Sequence, residues 1–180
     1  MPSLQQVQDA ARAAILPFIV KGLIKDNTVG ELIDLKSIAK ELNIQIKLDQ
    51  KLKDLCRIII EKDSRHPTIY LNPNCDTKTK HTFVAIAIAE YILTPRRVSD
   101  PGIYYDLFFL DTIYSQKHNY FMLLSTRLAF PEETIAQLED HSINTDDFVN
   151  NCSYLPQFIR CCVSNSSALF LISNFSELGS

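Results

Sequence analysis

The stretch from Thr77 to Leu93, TKTKHTFVAIAIAEYIL, is apolar without a break from Phe83 to Ala89 and is followed by Thr94-Pro95. A residue before proline is pushed out of the helical region, so the spacing predicts a helix that ends there. A surface helix keeps a polar face, whereas this one keeps none over about two turns, and a helix that is apolar all round belongs inside a fold. Any architecture for this chain must therefore cover one helix from several sides at once. The same run is far short of the roughly 20 apolar residues that cross a bilayer, and Glu90 stops it.

Composition narrows the classes further. The 180 residues are 46% hydrophobic and 22% charged, with 18 basic against 21 acidic side chains and a net charge of -3, which fits an ordinary folded domain. Disorder needs low hydrophobicity with a charge imbalance, and a nucleic-acid footprint needs a basic excess or stripe. Neither is present, so no direct nucleic-acid binding is expected. With four glycines spread along the chain, neither GxGxxG nor GxxxxGK[ST] can be assembled, which removes the dinucleotide and P-loop readings. The start, Met1-Pro2-Ser3-Leu4-Gln5, lacks the basic and apolar regions of a secretory signal, so a cytoplasmic protein is expected. Cys56, Cys75, Cys152, Cys161 and Cys162 form an odd set without CxxC spacing, which favours reduced thiols over disulfides or a structural zinc site.

Around the buried helix the remaining elements read in order. Residues 4–24 place Leu4, Val7, Ala11, Ala14, Ile15, Phe18 and Ile19 at helical spacing, with Pro17 as the awkward member. Asp34 stands before Leu35 to Leu42 as an N-cap. The period then drops to two at Ile44, Ile46 and Leu48, a half-buried strand. Cys56 to Ile60 and Thr68 to Asn72 are β-rich runs whose simplest arrangement is an antiparallel pair. Tyr104 to Phe130 has the periodicity of one or two helices, followed by short helices over 132–139, 145–151 and 155–163, with Thr145 and Asp146 as cap candidates. The segment 164–180 is a Ser/Asn-rich tail around the apolar run Ala168 to Ile172. The organisation expected is one domain over 1–163 plus that tail, in the α+β class.

Four spans in this order resemble the ImmA/IrrE family of zinc-dependent peptidases. They are Asp34 to Ile46, Thr68 to Asn72, His81 to Leu93, and Tyr120 to Pro131 with Glu132 and Glu133 following. The family counterparts are an xIAxxLGIxV helix-to-strand passage, an IxIN strand, an RFTLAHELGHxLL helix and an ExxANxFAxxLLMP helix. The resemblance covers about residues 5–160 and implies a zincin-like fold. That fold would have N-terminal helices, a small antiparallel sheet of about three strands, the buried central helix and a C-terminal helical bundle.

The resemblance fails where the chemistry lies. In HExxH, two histidines on one helix face hold zinc and the glutamate activates the bound water. At those positions this chain carries Ile86, Ala87 and Glu90, and the family's third ligand, a glutamate on the following helix, falls on His118. Isoleucine cannot ligate a metal and Ala87 cannot accept a proton, so no catalytic residue and no zinc are expected. Glu90 and His118 remain as the residues capable of a divergent metal centre. Three readings follow. One is an inactive peptidase relative that regulates by binding a protein, with a helix-turn-helix repressor of a phage or mobile element as the partner class the resemblance implies. The second is a metal-dependent peptidase using Glu90 and His118. The third is a structural or assembly protein that shares only the fold.

Overall fold

Local capping sets the first helix boundaries. In the computed structural model, which describes residues 4–25, 33–53, 55–59, 66–93, 103–105, 119–160 and 162–163, helix α1 spans Leu4–Val20 and α2 spans Leu35–Glu41. Asp34 caps α2 as its sequence predicts, accepting from the N–H groups of Lys36 at 3.0 Å and Ser37 at 3.3 Å. Helix α2 closes in a Schellman arrangement. Ile44 N–H donates to Ala39 O at 2.8 Å, Asn43 N–H donates to Lys40 O at 3.0 Å, and Asn43 takes the left-handed conformation with φ of 58°. The chain thus reverses from α2 into strand β1, Gln45–Leu48, on one residue.

Strands β2, Cys56–Ile59, and β3, Thr68–Leu71, pair antiparallel with Ile58 opposite Ile69, as expected. The rest of the sheet departs from the antiparallel, roughly three-stranded expectation. Strand β1 runs parallel to β3, with Ile46 opposite Ile69 and Leu48 opposite Leu71. A fourth strand, β4, Ile103–Tyr105, pairs antiparallel with β2, giving the order β1-β3-β2-β4 among the described residues. Tyr104 therefore belongs to a strand and not to the helix its spacing suggested. An Ile-Tyr-Tyr triplet has the β-branched and aromatic side chains that suit a pleated surface, and pairing with β2 overrides the helical period.

Helix α3, Thr77–Leu93, has the predicted bounds and the predicted burial: no residue from Phe83 to Ala89 exceeds 6% exposure. Asp76 fixes its start, accepting from Thr79 N–H at 2.8 Å and Thr79 Oγ1 at 2.9 Å. The helix packs on β2 and β3 along one side, on α2 near its start, and on α4, Asn119–Ala129, which α1 backs in turn. Helices α5, Glu132–Glu139, and α6, Thr145–Asn151, follow. The cap of α6 is Asn144, whose side chain accepts from Asp146 and Asp147 N–H, so Thr145 and Asp146 lie inside the helix. Helical residues 156–160 and 162–163 complete the C-terminal layer. One apolar cluster gathers side chains from Ile15 to Cys162, and Phe130, Phe148, Tyr154 and Phe158 pack ring against ring within it.

Candidate functional site

The positions where the resemblance puts metal chemistry lie on α3. Ile86 and Ala87 have no exposed surface at all, and Glu90, four residues beyond Ile86, is half-buried. Side chains at these two positions are core: they touch neither solvent nor a cleft from which a substrate could reach them. His118 lies outside the described residues, as do residues 100–102, where Asp100-Pro101-Gly102 is expected to form a turn, and residues 164–180. Among the described residues no three His, Cys, Asp or Glu side chains come together as a metal site. The other histidines are dispersed. His66 and His141 are exposed, and the ring of the exposed His81 stands 6.1 Å from that of Tyr154.

The described cysteines are also poor nucleophiles. Cys56, Cys75, Cys152 and Cys162 are free thiols. Cys56 is wholly buried, its Sγ donates to Phe83 O at 3.9 Å, and burial holds its thiol protonated. Burial also raises the Cys75 thiol, with Asp76 adding to the effect and Lys80 opposing it.

An accessible concavity lies elsewhere, along α2 and β1 and reaching the start of α3. Two depressions of about 560 and 550 Å³ adjoin there, sharing Lys36 and Ile46 in their walls. The first lies along Ala39, Lys40, Asn43 and Gln45 and is mostly polar in its side chains. The second has Leu35, Ile46, Leu48, Leu71 and Val84 as an apolar floor, with Lys36, Lys80, His81 and Tyr154 around it.

Sheet register explains the floor. Ile46 and Leu48 stand opposite Ile69 and Leu71, which are buried, and those stand opposite Ile58 and Cys56. All six side chains therefore share the sheet face that α3 covers. The main packing of α3 falls on β2 and β3 and not on β1, and Leu48 is 63% exposed. The two-residue period in this stretch was legible, but the half-buried expectation fails at Leu48.

Among the described residues β1 stands at one end of the sheet, and its backbone has two distinct sides. Gln45 N–H donates to Pro67 O at 2.9 Å and Asp49 N–H to Leu71 O at 3.0 Å, both toward β3. Amide direction alternates along a strand, so the N–H and C=O groups of Ile46 and Leu48 point away from the sheet. Among the described residues the groove thus combines an apolar floor, a backbone edge that no strand pairs with, and lysines on one wall. No sequence signal short of the pairing order would have revealed it, because a strand's alternation does not say which strand ends a sheet.

The chain matches no known family model, no curated protein and no solved structure. No helix of the described residues is long and apolar enough to cross a membrane.

Proposed function

We propose that the protein is a non-catalytic binding module with a zincin-like ancestry, acting in the cytoplasm as a regulator of another protein, with a helix-turn-helix repressor as the partner class that the ImmA/IrrE resemblance suggests. The observation that carries this reading is the complete burial of Ile86 and Ala87. A peptidase of that family needs a metal ligand and a proton acceptor facing a cleft at these positions, and this chain has two apolar side chains packed inward. Burial of such groups stabilises the helix where a polar metal site would cost folding energy. The accessible groove between α2 and β1 offers binding without a nucleophile or a metal-activated water.

The test is elemental analysis of the full chain purified without chelator, together with incubation against a panel of purified helix-turn-helix repressors, read by mass spectrometry for cleavage and by size-exclusion chromatography for complex formation. The expected result is no stoichiometric zinc, intact repressors and a stable complex with at least one of them. Stoichiometric zinc lost in both Glu90→Ala and His118→Ala, with repressor cleavage, would overturn the reading in favour of a divergent metal-dependent peptidase.

A further inference from the structure

The α2–β1 stretch carries a local charge opposite to that of the whole chain. Over residues 34–53, which hold both elements and the turn after β1, Lys36, Lys40, Lys47, Lys51 and Lys53 stand against Asp34, Glu41 and Asp49. Each of those three carboxylates is engaged inside the fold. Asp34 caps α2 and accepts from Ser37 Oγ at 2.7 Å, Asp49 accepts from Lys51 N–H at 2.9 Å, and Glu41 pairs with Lys21. Among the described residues no salt bridge joins a carboxylate to Lys36, Lys40 or Lys47, all three of which are exposed, and Lys36 feels the Asp34 charge at longer range. Lys36 and Lys40 are four residues apart and so share one face of α2. Both line the depressions beside the outer edge of β1.

We propose that β1 accepts an extended, acidic segment of a protein partner as an added strand, with an apolar side chain against Leu48 and carboxylates paired to Lys36 and Lys40. The outward N–H and C=O groups of Ile46 and Leu48 match the ladder of an extended peptide, and a nucleic-acid backbone has no such ladder to offer. An added strand extends the sheet face on which Ile46 and Leu48 lie, and so covers Leu48, which is 63% exposed. The surrounding lysines select the sign of the incoming segment and speed its approach. A second copy of this chain fits poorly, because pairing two β1 edges brings both sets of lysines together.

This inference rests on the protein-binding reading and refines it to a place and a chemistry. The experiment uses the full chain labelled with ¹⁵N and a short fluorescent peptide that alternates Glu with Val. Companion peptides replace Glu by Gln, or carry N-methyl groups on alternate residues so that the ladder donors are lost. The Glu-Val peptide is expected to bind with shifts at the Ile46 and Leu48 amides, whose hydrogen exchange is fast in the free chain and slows on binding. Affinity should fall about tenfold or more for the Gln peptide, for the N-methylated peptide, and for the doubly substituted Lys36→Glu, Lys40→Glu chain. Both lysines are exposed, so the variant keeps its fold, which its circular dichroism and melting temperature check. Leu48→Ser should weaken binding without altering its salt dependence, since it removes apolar contact only.

Several results overturn the proposal. They are no peptide binding, equal affinity for the N-methylated peptide or for the charge-reversed chain, and displacement of the peptide by an oligonucleotide. Slow exchange of the Ile46 and Leu48 amides in the free chain has the same force, since it means that another copy already covers the edge. Failure here leaves the non-catalytic reading intact. Zinc stoichiometry with repressor cleavage overturns that reading whether or not the peptide binds.

Discussion

The Leu155 backbone N–H donates to Thr82 Oγ1 at 2.9 Å, tying the first half of the buried helix α3 to the segment that leads into the last helical turns. Thr82 is fully buried, so this hydroxyl is an acceptor in the core and has no competing water. Removing it leaves the Leu155 amide without that partner, which costs about 1–2 kcal/mol. Thr82→Val, nearly isosteric, should lower the urea midpoint without changing the slope, and Thr82→Ser should recover most of the loss.

The complete burial of Ile86 and Ala87 makes the chain intolerant of polar or smaller side chains there. Ala87→Glu forces a longer, ionisable side chain into a site with no exposed surface and should destabilise by about 3 kcal/mol or more. Ile86→Ala leaves a cavity instead and should cost about 2–5 kcal/mol. Thermal unfolding of both variants checks this. A native melting temperature for Ala87→Glu would mean that the position opens to solvent.

The two carboxylate caps give the fold a defined acid response. Hydrogen bonds from Thr79 hold Asp76 below its ordinary range, and the Ser37 hydroxyl does the same for Asp34. A carboxylate depressed in the folded state contributes stability that is complete above its unfolded pKa, near 3.9, and is lost as pH falls through the folded value. Both groups are largely exposed, so each cap contributes about 1 kcal/mol at neutral pH. Urea titrations should therefore show Asp76→Ala and Asp34→Ala less stable than the parent at pH 7, with the gap narrowing below about pH 4. A gap that widens on acidification would contradict the capping account.

Thiol labelling should be ordered. Cys75 is partly exposed, while Cys56, Cys152 and Cys162 are buried. Iodoacetamide at pH 8 followed by mass spectrometry should modify Cys75 first among these four, and more slowly than a free thiol, because burial raises its pKa. The other three should react only after urea unfolds the chain.

Local signals in the sequence were read well. The bounds of α3, the Asp34 cap and the β2–β3 pair each rest on neighbours a few residues apart, where propensity and period act. What escaped depends on contacts made across the fold. The direction of β1 is set by β3, more than twenty residues on, and its alternation of side chains would be the same for either direction. Strand β4 is held by β2 against a helical period. The α6 cap is Asn144 and neither Thr145 nor Asp146, because all three residue types are competent caps and only the backbone angles choose among them. The site residues split in the same way. The apolar character and burial of Ile86 and Ala87 are legible from residue type and pattern, whereas the groove depends on the position of β1 at one end of the described sheet.

One wall of that groove comes from a single continuous stretch, α2 and β1, turned on Asn43 in its left-handed conformation, and the rest from β3, α3 and Tyr154. In evolutionary terms this makes the surface a cassette. Substitutions among the exposed positions of α2 and β1 can change what the groove prefers without touching the packed interior of α3, so partner choice and fold stability are free to diverge at different speeds.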